Sequence, residues 1–257
     1  MGAGVTLAGL AASPVVREKC PAIANAAKLV ATTQIRNVAT LGGNVLQNTR
    51  CQYYNRSSEW GKAVAPCFKR GGTLCHIIPR GKRCFAVYQG DLAPLLIALK
   101  ATAMMVSQDQ AKELPLASLF SNNGVEPFAD IAGKLIVHFT IPESSLGSQS
   151  DYKKYRLRNG IDFPLAGVAV VLKSNHELAE DLQVCLTGVA SSPVLVAIPG
   201  EMIEGKQLNY ALVKEAGELA YHAAHPLANL EGDPARRRTM IRIMTEDILA
   251  SWVDKRD

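Results

Sequence analysis

The sequence predicts an α+β fold in two domains, on three observations. Segments with helical spacing and segments with strand alternation both occur in the first 142 residues. A polar Ser/Gly-rich stretch, "SSLGSQSD" at 144–151, then interrupts the pattern and marks the boundary, giving domains over 1–147 and 148–257. Beyond it come three strand-like runs followed by two helices. Of the 257 residues 48% are hydrophobic and 20% charged, the balance of a folded globular protein. No apolar run approaches the ~18 residues that span a bilayer. The uncharged start lacks the cationic region of a secretory signal, so the expectation is a cytoplasmic protein with no membrane partner.

In chain order, "MGAGVTLAGLAASPVV" reads as a frayed start leading into a helix, and its match to a myristoylation pattern is weak. Residues 14–31 carry Ala, Ile and Leu at spacings of three and four, a helix broken once at Pro21. "TTQIRNVATLGGNVL" reads as a short β-like run closing on a Gly-Gly turn. Residues 48–86 hold neither period for long and form an irregular insertion, a length of loop that is usually functional or disordered. In "DLAPLLIALKATAMMVS", Asp91 is placed to cap a helix with Leu95, Leu96 and Leu99 facing a core, and a strand follows near Met104–Ser107. "GKLIVHFTIPE" alternates as a strand and stops at Pro142. The second domain offers the strands "YKKYRLR", "AGVAVVLK" and "LQVCLTGVA", then the helices "NYALVKEAGELAYHAA" and "DPARRRTMIRIMTEDILASWV". Asp233 and Pro234 give the last helix a cap and a first-turn proline.

Charge concentrates in the insertion. Net charge is +5, yet the stretch from Arg50 to Cys84 alone carries eight cations against Glu59. Such a patch suits an anionic partner or cofactor, or a solvated face. No helix-turn-helix, zinc-finger or RNA-recognition signature accompanies it, so nucleic acid is not the expected partner. The same stretch holds Cys51, Cys67, Cys75 and Cys84, spaced by 16, 8 and 9 residues. A Cys-x-x-Cys pair, the strongest cue for zinc, is absent. Disulfides would need an oxidising compartment. Four thiolates on an iron–sulfur cluster would carry net negative charge that the cations offset, and six of the fifteen aromatic residues lie between Tyr53 and Tyr88 to limit water. Spacing favours iron–sulfur over structural zinc only slightly. Cys20 and Cys185 fit a helix and a strand as ordinary buried thiols, and His76 stands beside Cys75 as a neighbour of the site. His138, His222 and His225 are scattered, and no nucleophile–base pair calls for other chemistry.

"IRNVATLGGNVLQNTRC" joined to "CFAVYQGDLAPLLIALKA" resembles the FAD-binding (medium) subunits of the molybdenum hydroxylases, the xanthine dehydrogenase and carbon monoxide dehydrogenase flavoprotein family. "TRCQYYNRSSEW", "CFKRGGTLCH" and "RCFAVYQGDLAP", in that order, resemble the 4-hydroxybenzoyl-CoA reductase β-subunit type, whose inserted loop holds a [4Fe–4S] cluster on four cysteines. The resemblance runs on through Tyr152, Lys154 and Arg158 in "DYKKYRLRNGIDFPLAGVAV". It implies a second lobe of an FAD-binding domain, carrying the iron–sulfur insertion, and a C-terminal domain with a three-stranded antiparallel sheet and helices. It also implies an oxidoreductase subunit, not catalytic alone, that relays electrons between a [4Fe–4S] cluster, FAD and a partner's iron–sulfur centres. Its partners would be a molybdopterin-containing large subunit and a [2Fe–2S] small subunit. The excess of cations suggests an acidic, ferredoxin-like carrier as a further one.

For the flavin, "TLGGN" reads physically as a tight turn with exposed N–H groups, where Gly42 and Gly43 let a phosphate approach and Thr40 and Asn44 add hydrogen bonds. The resemblance assigns Thr40, Leu41, Gly42, Gly43 and Asn44 to FAD, Asp91 to its adenosine half, and Ile136 and Lys154 to the isoalloxazine. The family's other pyrophosphate motif, Gly-Gly-Thr-Asp, does not occur here. These residues by themselves are therefore expected to hold FAD weakly or not at all: a separate polypeptide supplies the rest of the cradle, the chain is a fragment, or flavin binding is lost.

Overall fold

The structure, a computed structural model, describes residues 1–158 and 160–253. Its N-terminus is paired rather than frayed: the Met1 amino group donates to the Phe139 carbonyl and Ala3 N–H to that of Val137, both at 2.8 Å. A short helix α1 (Leu7–Ala12) comes first, and the helical segment expected over 14–31 forms as α2 (Pro14–Lys19) and α3 (Pro21–Leu29), broken at Pro21 as expected. Pro14 and Pro21 each open a helix, because proline lacks the N–H that would continue the preceding one.

The expected β-like run is helical instead, in α4 (Thr33–Arg36) and α5 (Leu41–Val45). Two threonines cause this. Thr32 and Thr40 have extended backbones, and their hydroxyls accept the N–H groups of Ile35 at 3.3 Å and Gly43 at 3.0 Å, so each starts a helical turn. The insertion contains only α6 (Ser58–Lys62) and a single 3₁₀ turn at Phe68–Arg70. After it, every residue of α7 (Leu92–Ala98) is buried, and Leu99 beside it is too. Strands β1 (Thr102–Val106), β2 (Ala111–Pro115) and β3 (Leu135–Thr140) form an antiparallel sheet in the order β2-β1-β3.

A second antiparallel sheet has three long strands, β4 (Gln149–Tyr155), β5 (Ala166–Asn175) and β6 (Leu178–Thr187). The two-residue β7 (Val194–Leu195) joins its edge. The short α8 (Gly200–Ile203) and β8 (Lys206–Gln207) follow, and β8 pairs with the far end of β6. The chain closes with α9 (Tyr210–Ala223) and α10 (Pro234–Val253). Asp233 caps α10 as expected, accepting from Ala235 N–H at 3.2 Å and Arg236 N–H at 3.1 Å.

This sheet is a shared wall between two cores. Ala169, Val171 and Cys185 face the core of the first half, with Leu92, Leu95 and Phe139. Val168, Val170, Leu172, Val184 and Leu186 face α9 and α10, with Ile241, Ile248 and Trp252. A strand buried on both faces must be apolar throughout, which is why "AGVAVVL" shows no polar alternation. Arg237 on α10 is fully buried and locks the wall's end. Its guanidinium donates to the carbonyls of Leu165 at 2.9 Å, Leu227 at 2.7 Å and Gly188. Burial without a carboxylate partner lowers its pKa to about 10.

Candidate functional site

The insertion is closed at its neck. Arg50 N–H donates to the Val87 carbonyl at 2.7 Å and Val87 N–H returns to Arg50 at 2.6 Å. Between these ends, Cys75 and Cys84 are the buried residues of the stretch 51–85. Cys51, Cys67, Cys75 and Cys84 all line one cavity, with Tyr53, Tyr54, Phe68, Leu74, Ile77 and Phe85 as its apolar wall. Among the described residues no three His, Cys, Asp or Glu side chains stand close enough to ligate one metal ion. A tetrahedral zinc site needs sulfurs ~2.3 Å from a common centre. All six cysteines are free thiols.

Lys69 also lines this cavity, and its ammonium is anchored rather than solvated. It donates to Asn48 Oδ1 at 2.9 Å, to Thr49 Oγ1 at 2.6 Å and to the Gly124 carbonyl. Thr49, itself buried, donates to the same carbonyl at 2.7 Å. Gly124 belongs to a turn distant in sequence, and its N–H donates to the Cys84 carbonyl at 3.1 Å. A Cβ there would lie 2.7 Å from Cys84 Sγ and 2.6 Å from Ala86 N, so only glycine closes this side of the cavity. Burial pushes the Cys51 and Cys84 thiols up, and the N–H groups of Tyr53, Tyr54 and Ala86 pull them partly back. Burial lowers the pKa of Lys69, and negative charge on Cys84, Cys51 and Cys67 would raise it.

Of the loop's cations, Lys69 is anchored inward and Arg70 donates to the Tyr54 carbonyl at 2.9 Å. Exposed cations on the loop are Arg56, Lys62, Arg80 and Lys82. His76 also lines the cavity; its Nε2 is 2.8 Å from the Ala65 carbonyl and its ring stacks on Tyr53 with centroids 5.0 Å apart. The loop is also gripped by the second domain. Gln52 N–H donates to the Asn229 carbonyl at 2.8 Å, its Nε2 to that of Ala228 at 2.6 Å, and Asn229 Nδ2 to Phe85 O at 2.6 Å. Asn48, Thr49, Gly124 and Asn229 were not singled out from the sequence. "NNG" reads as a turn, but nothing in it says that the turn touches a cysteine.

At the glycine motif the N–H groups are not free as expected. Leu41 N–H donates to Val5 O at 2.9 Å, Gly42 N–H to Ala3 O at 2.8 Å, and Asn44 N–H to Thr40 O at 3.0 Å. A Cβ on Gly42 would lie 3.0 Å from that of Ala3, so this glycine serves the packing of the N-terminal strand. Gly43 alone of the two is exposed, beside the half-buried Thr40. Asp91 does not cap α7. Asn44 Oδ1 accepts the Leu92 N–H at 3.0 Å in its place. The Asp91 carboxylate instead accepts from Lys154 Nζ at 2.9 Å and Tyr152 OH at 3.1 Å, with the paired Lys and Asp side chains 2% and 3% exposed. Burial raises the Asp91 pKa, and Lys154 and Tyr152 act against it. The fold thus brings Asp91, Tyr152 and Lys154 into one buried network, with Asn44 bonded to the adjoining Leu92 backbone. Ile136 lies on β3 in the first core, without a polar link to them.

Comparison with known proteins extends this geometry. Residues 1–144 match the FAD binding domain in molybdopterin dehydrogenase, and residues 132–251 the CO dehydrogenase flavoprotein C-terminal domain. The chain is 28% identical to the Escherichia coli (strain K12) protein named aldehyde oxidoreductase FAD-binding subunit PaoB, over 96% of this chain and 77% of that one. Identity with the carbon monoxide dehydrogenase medium chain of Hydrogenophaga pseudoflava is 22%, over 95% and 71% of the two. Among solved structures, carbon monoxide dehydrogenase from that organism superposes with a TM-score of 0.73 at 22% identity, covering 96% of this chain and 72% of the other. Quinoline 2-oxidoreductase from Pseudomonas putida 86 gives 0.70 at 18% identity, covering 97% and 72%. Both share the fold. Among the described residues no helix is long and apolar enough to cross a membrane.

Proposed function

Because this chain belongs to the family of FAD-binding domains of the molybdopterin dehydrogenases and is an oxidoreductase subunit, we propose that it is an electron-relay subunit holding both FAD and a [4Fe–4S] cluster. The observation that carries the cluster is the meeting of Cys51, Cys67, Cys75 and Cys84 on one cavity, with an anchored ammonium beside it. When bound, FAD exchanges electrons singly or in pairs and the cluster exchanges them singly. The rest is positioning. The four cysteines would supply thiolates, and the apolar wall would limit the access of water to them. Residues 1–147 form the flavin lobe with its insertion at 48–86, and 148–257 the C-terminal domain. Thr40, Leu41, Gly42, Gly43 and Asn44 border the pyrophosphate of FAD, with Gly43 as the point of closest approach. Asp91 and Lys154 support the nucleotide and ring ends as one ion-paired unit, and Ile136 lends apolar contact to the isoalloxazine.

The partners in this reading are a molybdopterin-containing large subunit and a [2Fe–2S] small subunit, in the cytoplasm where thiols stay reduced. Medium-chain relatives support it by their names. The exposed Arg56, Arg80 and Lys82 of the loop would meet an acidic one-electron carrier such as a ferredoxin. Anaerobic purification followed by iron, acid-labile sulfide, zinc and flavin analysis tests the reading. About four irons and four sulfides per chain, with a broad thiolate-to-iron absorption band, are expected. Stoichiometric zinc without sulfide would replace the relay by a structural site.

A further inference from the structure

We propose that Lys69 is the fixed counter-charge of the cysteine cavity, a positioning residue that raises the reduction potential of the cluster. This rests on the cluster reading above. Lys69 has three N–H donors, and all three meet neutral oxygens: the Asn48 amide, the Thr49 hydroxyl and the Gly124 carbonyl. Among the described residues it forms no ion pair with a carboxylate. A half-buried ammonium without a counter-ion is unfavourable unless negative charge comes to it. The cavity beside it, lined by four thiols, is where that charge would reside.

The anchors explain why the charge acts steadily. Thr49 is buried and bonded to the same carbonyl as Lys69, and Gly124 N–H holds the Cys84 peptide. The ammonium is therefore tied to a segment that also touches a ligand, and it cannot swing into solvent. Adding an electron to a cluster makes it more negative, so a nearby fixed cation favours the reduced state. Partial burial keeps the interaction from being screened as it is at an exposed site. Exposed Lys62, on the same loop, lacks this position and should tune the potential little.

The test is a redox titration of the purified complex, with the cluster's reduced state followed by electron paramagnetic resonance. The variants are Lys69→Met, Lys69→Gln, Lys69→Arg and Lys62→Glu. At a fixed applied potential, Lys69→Met and Lys69→Gln should lower the reduced-to-oxidised ratio about tenfold, equivalent to about 59 mV for a one-electron couple. Lys69→Arg, which keeps the charge, should restore most of the ratio, and Lys62→Glu should leave it near wild type. If the neutral variants assemble no cluster while Lys69→Arg does, the charge is required already at assembly and the proposal stands. Unchanged potentials in iron-loaded Lys69→Met overturn it. So does loss of iron from Lys69→Arg as well, since the role would then be one of shape. Wild-type protein without iron and sulfide would instead fail the cluster reading itself, and this inference with it.

Discussion

The cysteine insertion and the β5–β6 wall are held by opposite means. In the wall, Val168, Val170, Leu172, Val184 and Leu186 are buried against α9 and α10, while the alternate residues Ala169, Val171 and Cys185 fill the other core. Stability there comes from apolar area removed from water, at roughly 25 cal/mol per Å². In the insertion, the buried residues between 51 and 85 are two cysteines. What holds it is a two-bond neck at Arg50 and Val87, the Lys69 anchors, and the grip of Ala228 and Asn229. Fixing a backbone costs ~1–2 kcal/mol per residue, and this loop has little apolar burial to offset it. The wall folds for its own sake; on the proposed reading, the loop folds around the cluster it would enclose.

The strongest way to break this contrast is to remove the enclosed group. Cys75→Ser or Cys84→Ser should lose the iron and, with it, hydrogen-exchange protection across 51–85, while β5, β6 and α10 keep theirs. Equal protection with and without iron would mean that the loop is self-supporting. Next in size, Ile248→Ala removes a fully buried side chain from the second core. It should lower unfolding stability by ~2–5 kcal/mol, read from the urea midpoint. Iron content should not change below that midpoint, and a variant that lost iron in proportion to stability would join the two regions into one cooperative unit. The smallest effect is expected at their junction. Asn229→Ala takes away the donor to Phe85 O, worth about 1 kcal/mol. Iron should then pass to a chelator severalfold faster, with the global midpoint almost unmoved.

Elements whose cause is local were legible from the sequence. α9 and α10 fell where their spacing put them, and Asp233 caps α10 through its own side chain. β4, β5 and β6 were found because strand patterns are written in consecutive residues. The β-like reading of 32–46 failed because two threonine caps turned β-tolerant residues into helical turns. The helical reading of 14–31 with a break at Pro21 held, because that proline ends one helix and opens the next.

The sequence by itself determined which residue types were available: four thiols and their cations in one insertion, two glycines after Thr40, and a strand apolar on both faces. Tertiary structure alone decided how they are used. It set Ala3 and Val5 against the glycine motif, so that the N–H groups of Gly42 and Leu41 are already bonded. It turned Asp91 away from the helix it begins and toward Lys154. It drew Lys69 inward by carrying Gly124 to the mouth of the cysteine cavity. A cap or a strand depends on neighbours a few residues away, whose identity the sequence displays. A buried charge goes wherever its acceptors are, and here one of those acceptors is supplied by a turn that only the folded chain brings near.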